Sequence, residues 1–409
     1  MALFGEASRA RWVSLSACLA LASCSAPPAS SSGVPGDVHF AMSVDVPAGG
    51  EIYRCQYVTM PASDRYVLAA AHHFTAGSHH LLLYRTDLTT IPVGGDQIQD
   101  CYTGLGGTIM SHVRGVVYGS QVPDASFTMP SGVAFHMKAS EVLLLQAHYL
   151  NATTHDLTAS IDVGLTTSDG TGIIHPAGNL FYYDPFIDVP PSSTAKANAR
   201  CVLSKDITLV NVFPHYHARG TGYKAWIDPP GQPTATPFYT SSDWEYPTPY
   251  QGQPLTLSAG TAIRWECDYT NTGAQEYFQG QSAAKNEMCM FTGLYYPAVD
   301  DNFELCLTAM DGFGSGGATC ADTLTCIGQC PPASMSSGST ASLADIPDCV
   351  QKCVAGSCPS ASQPLLTALD CIQAKCATAC NGSDANACAQ CVAGSCPNEY
   401  SACQSSACN

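Results

Sequence analysis

Twelve histidines stand in this 409-residue chain, and their grouping is what could do chemistry. His215-Tyr216-His217 is the best local signal, because side chains two apart on a strand point to one face and both imidazoles can then reach one ion. Two exposed strand histidines would show the same spacing. His148, in Leu145-Gln146-Ala147-His148-Tyr149, follows an apolar run and should sit on a strand facing the core on alternate residues. A buried imidazole needs a partner, and a metal is one option. His79-His80 is a less natural pair, since strand neighbours face opposite ways. Both rings can meet one ion only at a strand end or irregular turn, which Ala76-Gly77-Ser78 would allow. His72-His73 is the same type of pair, and chemistry alone does not separate the two. His39, His112, His136, His155 and His175 stand singly and read as surface or hydrogen-bonded residues. Imidazoles with a thioether as the one soft addition favour copper over zinc. Met288, in Asn286-Glu287-Met288-Cys289, could supply that thioether beside a rigid cysteine, although a methionine is more often core filler.

The segments that carry these groups read as β-strands. Arg65 to Leu68, Leu81 to Tyr84, Val142 to Tyr149, Ile207 to Phe213 and Ala262 to Cys267 are short β-type runs, separated by turn clusters such as Pro47-Ala48-Gly49-Gly50 and Asp228-Pro229-Pro230-Gly231. With 35 glycines and 27 prolines and no convincing helical period before residue 306, the expectation is mainly β: two tandem antiparallel β-sandwich, jelly-roll-like domains. A stretch of about 265 residues is long for one sandwich and comfortable for two. Asp188-Val189-Pro190-Pro191-Ser192-Ser193 reads as the linker, giving domains over 38–187 and 188–310. Residues 311–409 change character. Cys353-Val354-Ala355-Gly356-Ser357-Cys358-Pro359 recurs from Cys391 to Pro397, and cysteine spacings of three and four fall on one helix face. Short helical hairpins stapled by disulfides are expected there, because apolar bulk is scarce. A zinc-ribbon reading of Cys388-Ala389-Gln390-Cys391 is the alternative.

Composition narrows the class. Hydrophobic residues at 45% and charged residues at 12% fit neither a disordered chain nor a polytopic membrane protein. A net charge of -17 argues against nucleic acid or an anionic membrane surface as partner. Twenty-two cysteines argue for export. Residues 1–23 read as a signal segment, with Arg9 and Arg11 before the apolar run from Trp12 to Ala22. Leu21-Ala22-Ser23-Cys24 resembles the bacterial lipobox, so Cys24 is the expected lipidation site and residues 24–37 a flexible tether. The expected location is a cell-envelope lipoprotein, and Ser25 is compatible with an outer membrane. Without Cys18 and Cys24, five cysteines lie before residue 300 and fifteen from Cys306 onward. Both counts are odd, so full pairing needs a bridge across that boundary, and Cys306 is the obvious crosser.

In this order the pieces resemble the copper type II, ascorbate-dependent monooxygenases, the family of peptidylglycine α-hydroxylating monooxygenase and dopamine β-monooxygenase. The motifs are His79-His80 before Leu81-Leu82-Leu83-Tyr84, Leu145-Gln146-Ala147-His148-Tyr149, His215-Tyr216-His217 and Glu287-Met288-Cys289, with Pro130-Ser131-Gly132-Val133 as a fifth, weaker piece. The resemblance covers about residues 38–308 and implies two copper ions. It selects His79 and His80 over His72 and His73. His79, His80 and His148 would hold an electron-transfer copper, and His215, His217 and Met288 the catalytic, oxygen-binding copper. It also implies the bridges Cys55–Cys101, Cys201–Cys306 and Cys267–Cys289, leaving 14 cysteines to form seven bridges in the tail.

The implied activity is C–H hydroxylation of a small substrate with O2 and ascorbate or an equivalent one-electron reductant, with electrons crossing a cleft between domains. The family's peptide-hydroxylating members carry an Arg two residues before the His-x-His that holds the substrate carboxylate, and here that position is Phe213. Their following Asn and Tyr are Met290 and Thr292 here. Peptidylglycine is therefore not the expected substrate, and a less charged one is. Two other functions fit parts of the sequence: a copper carrier or sensor without catalysis, and a surface interaction module working through the Cys-rich tail.

Overall fold

The computed structural model describes residues 33–250, 252–298, 306, 310–331, 346–380 and 385–408. The signal segment, Cys24 and the start of the tether lie outside the described residues. The tether's end does not hang free. Val34 is buried, and Asp37 accepts hydrogen bonds from the Thr167 N–H (2.6 Å) and hydroxyl (2.7 Å).

The fold is mainly β, built as two sandwiches of mostly antiparallel sheets. In the first lobe one sheet runs, in spatial order, Val38–Val46, Leu157–Ser168, Arg65–Phe74, Val133–Met137 and His175–Pro176, with Asp124–Thr128 also paired to Arg65–Phe74. The other runs Gln99–Asp100, Glu51–Thr59, Val142–Leu150, Ser78–Thr86 and Val113–Ser120. Period-two alternation sends Phe40, Met42, Val163, Leu165, Leu81, Leu83, Leu143 and Leu145 into the space between them.

The central strand Val142–Leu150 departs from the expected alternation, because it is buried on both faces. Leu143, Leu145, Ala147 and Tyr149 face the sandwich core. Val142 and Leu144 face a second apolar layer with Tyr57, Ile109 and the disulfide of Cys55 and Cys101. Gln146 and His148 share that second face by parity and are buried too.

In the second lobe one sheet has the order Gly178–Tyr183, Cys289–Tyr296, Ile207–Tyr216, Leu255–Leu257. The other has Tyr239–Ser241, Gly220–Asp228, Ala262–Asn271, Ser193–Val202, Met310–Asp311. The lobe change expected at 187/188 lies earlier. His175–Pro176 pairs with first-lobe Val133 and Ala134, whereas Gly178 already pairs with Tyr295. The Pro190-Pro191 segment is a turn inside the second lobe, joining Asp188–Val189 to Ser193–Val202. The two lobes share an apolar seam. Leu294 belongs to the first-lobe core, and Val210, Phe213 and Tyr296 pack against it.

The C-terminal region folds as α1 (Cys320–Gln329), α2 (Asp348–Ala355), α3 (Ser362–Cys380), α4 (Ala385–Ser395) and α5 (Pro397–Ser405). Cys326–Cys353 and Cys330–Cys349 staple α1 to α2, and Cys371–Cys396, Cys376–Cys391 and Cys380–Cys388 staple α3 to α4. Cys320–Cys403 and Cys358–Cys408 tie the chain's end back. Cys388 and Cys391, the zinc-ribbon alternative, are thus both in disulfides. The region is not a separate globule: Phe313, Cys320, Val354, Cys358, Leu365 and Ala368 lie in the same core as Trp265, Tyr223 and Phe291 of the second lobe.

Candidate metal centre

His79 and His80 open the strand Ser78–Thr86, where the pairing to Val142–Leu150 skips a residue: Ser78 faces Tyr149 and His80 faces His148, leaving His79 as a bulge. A bulge turns one side chain round to its neighbour's side, which is how adjacent histidines come to share a face. Gly77, at φ +86°, supplies the left-handed residue that leads into it. The ligand-capable atoms of His79, His80 and His148 lie within 4.8 Å of one another. The His79 and His80 Nδ1 atoms are 3.2 Å apart. Two nitrogens bound to one ion at about 2.0–2.1 Å and tetrahedral angles would stand roughly 3.3 Å apart.

The third ring is aimed by its surroundings. His148 Nε2 donates to the Glu51 carboxylate (3.0 Å), and its Nδ1 is buried with no hydrogen-bond partner. That orphaned lone pair is what a metal would satisfy. Tyr53 stacks on His148, with centroids 4.0 Å apart and rings 7° from parallel. Burial pushes the Glu51 carboxyl up, but hydrogen bonds from His148 and Ser282, the His148 charge and the Ala283 N–H outweigh it and hold it at about 2. Glu51 also bridges the lobes, because Ser282 (2.7 Å) and Ala283 (3.0 Å) are second-lobe donors.

His215 lies at the end of the strand Ile207–Tyr216 and His217 just past it. Their Nε2 atoms face each other at 3.2 Å. The opposite nitrogens are tied down, His215 Nδ1 to Gln121 Oε1 (2.6 Å) and His217 Nδ1 to the Asn286 carbonyl (3.2 Å). The neighbouring strand pairs His215 with Met290 and Tyr216 with Cys289. Met288 and His217 each lie one residue beyond the last pair of that ladder. The Met288 backbone is held by Tyr269, whose hydroxyl donates to its carbonyl (2.8 Å), and by the Cys267–Cys289 disulfide beside it. Just before it, buried Glu287 pairs with Arg219 (2.7 Å), whose guanidinium lies 3.4 Å over the Tyr277 ring.

Burial, then the neighbouring imidazoles, pushes the ring pKa down to about 3 at His79, and burial with the His148 charge pushes it to about 4 at His215. His80 and His217 are driven well down for the same reasons. The rings are therefore neutral, the form that binds metal, at ordinary pH. The cleft expected between the two sets is closed: the His80 and His215 rings meet edge to face at 5.4 Å.

The other histidines are used elsewhere. Both His72 nitrogens are engaged, by the Tyr118 hydroxyl (2.6 Å) and the Val122 carbonyl (2.7 Å), and His73 pairs with Asp124. His39, His112 and His136 sit beside Asp162, Asp87 and Asp64, His175 stacks on Tyr296, and His155 is exposed. Cys201 and Cys306 are bridged. Glu51, Tyr53 and Gln121 escape sequence reasoning, because each lies tens of residues from the ring it holds and no local pattern marks it.

A two-lobed β protein with one set of imidazoles on each lobe, meeting at the seam, is thus defined. Residues 179–312, most of the second lobe, match the family described as copper type II ascorbate-dependent monooxygenase, C-terminal domain. No curated protein matches the chain. Among solved structures it is similar to the major capsid protein P2 from Bacteriophage PM2, at 8% identity over 64% of this chain and 100% of that one, with a TM-score of 0.28. It is also similar to PNGF-II, at 10% identity over 65% of this chain and 60% of that one, with a TM-score of 0.23. Likenesses this slight carry no argument.

Proposed function

We propose that this protein is a copper-dependent monooxygenase that hydroxylates a C–H bond of a small substrate, using O2 and an ascorbate-like one-electron reductant. One observation carries the reading: five imidazoles converge in two sets, each with facing nitrogens 3.2 Å apart, and the remaining His148 Nδ1 buried and unpartnered. The match of residues 179–312 supports it. The donor set proposed, imidazoles with the Met288 thioether as the one soft addition, fits copper.

His79, His80 and His148 would hold one ion, and His215, His217 and Met288 the other. Bound copper would supply the one-electron redox chemistry that joins O2 to a substrate carbon. The chain's own groups do the positioning. Glu51 takes the His148 Nε2 proton side and leaves Nδ1 to the ion. The Asn286 carbonyl does the same for His217, leaving Nε2.

The side chains near the second set favour a substrate without a carboxylate anchor. Phe213 packs into the seam, Met290 is buried, and the Thr292 hydroxyl is spent on the Phe213 carbonyl. The reading includes export and anchoring to a membrane through acylated Cys24. The ten disulfides among the described residues fit an oxidising compartment. No helix among the described residues is long and apolar enough to cross a membrane.

Metal analysis together with ascorbate-driven O2 uptake tests the proposal. Two copper ions per chain and product-linked O2 uptake are expected. Met288→Ala should abolish hydroxylation while the first copper stays bound, and full turnover in that variant would reject the ligand assignment. Copper without O2 uptake would favour a carrier or sensor.

A further inference from the structure

We infer that Gln121, a first-lobe residue, fixes the tautomer of the second-lobe ligand His215, so that the second ion site is set up only when the lobes are docked. The inference rests on the two-copper reading above. Gln121 follows the strand Val113–Ser120 and is buried. Its Nε2 donates to the Trp244 carbonyl, and its Oε1 lies 2.6 Å from His215 Nδ1. A main-chain carbonyl can only accept, so the amide's NH2 end must face Trp244 and its oxygen must face His215. That oxygen is also acceptor only, so His215 Nδ1 must carry the ring's proton. A neutral imidazole has one such proton. Nε2 is therefore left with a free lone pair, and Nε2 is the atom that faces His217 Nε2 at 3.2 Å.

The arrangement ties three elements. Gln121 comes from the first lobe, whereas Trp244 and His215 come from separate parts of the second. The same amide nitrogen lies 3.5 Å from His79 Nε2, and the Trp244 ring stands 5.5 Å from the His79 ring. One side chain thus touches a proposed ligand of each ion. Gln121 makes no claim on either ion itself. It is a positioning residue, acting on the ion through His215.

The test uses the full disulfide-bonded chain and has a metal-free arm. Nitrogen NMR of the metal-free protein reports which ring nitrogen of His215 is protonated. Nδ1–H is expected in the native chain, and loss of a single tautomer is expected in Gln121→Leu. Copper affinity of the second site, titrated in a His148→Ala background, should fall ten- to a hundredfold in Gln121→Leu. Protonation at Nε2 in the native chain overturns the inference, as does Nδ1–H persisting in Gln121→Leu. Failure of the native chain to bind copper would sink the functional proposal and leave the tautomer result standing. Should Gln121→Leu not fold, the native spectrum still decides, because Nε2–H there overturns the inference.

Discussion

Glu51 illustrates how much one acceptor does at this centre. It takes the outer nitrogen of His148 and two donors from the other lobe at once. Glu51→Ala should weaken copper at the first site ten- to a hundredfold and spare the second, read by chelator competition. Asp184 is a residue of another kind. Its Oδ1 accepts from the Phe186 N–H (2.8 Å), and the whole carboxyl is buried. Burial pushes this carboxyl from its ordinary 3.8 up to about 8. Between those values the folded chain holds a proton that the unfolded chain has released, so this group's contribution is complete below about 3.8 and is lost as pH rises toward about 8. Asp184→Asn cannot ionise. Its stability relative to the native chain should therefore rise between about pH 5 and about pH 8 in urea unfolding. A constant difference across that range would show that the carboxyl is already ionised in the fold.

At the scale of elements, the bulge at His79 is what converts a sequence pair into a shared face. It depends on Gly77, where a Cβ would meet Leu157 Cδ1 at 3.3 Å and φ is +86°. Gly77→Ala should cost about 1–2 kcal/mol in denaturant unfolding. It should also lower copper affinity at the first site by disturbing the entry into the bulge, while Gly231→Ala, at a turn with open space around it, should leave copper binding alone. The helices of the tail act on the second lobe in a comparable way. Gln351 of α2 accepts the buried Gln279 N–H (2.8 Å), and Lys352 pairs with Glu276 (2.6 Å). These contacts brace the segment that runs on to Glu287 and Met288.

For the whole molecule, the consequence is that the tail cannot be removed cleanly. Phe313 is fully buried in the second-lobe core and packs 4.9 Å from Phe186. Phe313→Ala should cost about 3–5 kcal/mol, as a large core deletion does. Truncation after residue 312 should give a chain that no longer melts cooperatively, checked by calorimetry. A well-folded truncated chain that still holds two ions would restore the view of the tail as a detachable module.

Short-range regularities carried everything legible in the order of residues. Period-two runs and turn clusters gave β-sandwiches, cysteines three and four apart gave stapled helices, and His-x-His spacing gave a shared face, because each signal needs only a few neighbouring residues. His72-His73 and His79-His80 were equal on chemistry, and only the surroundings separate them: Tyr118 and Val122 consume the His72 nitrogens, while a bulge turns His79 toward His80. A Pro-Pro turn looks the same within a domain as between two, so only strand pairing shows that Gly178 already pairs with Tyr295. The partners Glu51, Gln121 and Trp244, the closed seam and the joining of tail to second lobe belong to the tertiary structure alone. Each depends on contacts between segments far apart in the chain, and such contacts leave no periodic trace in either segment.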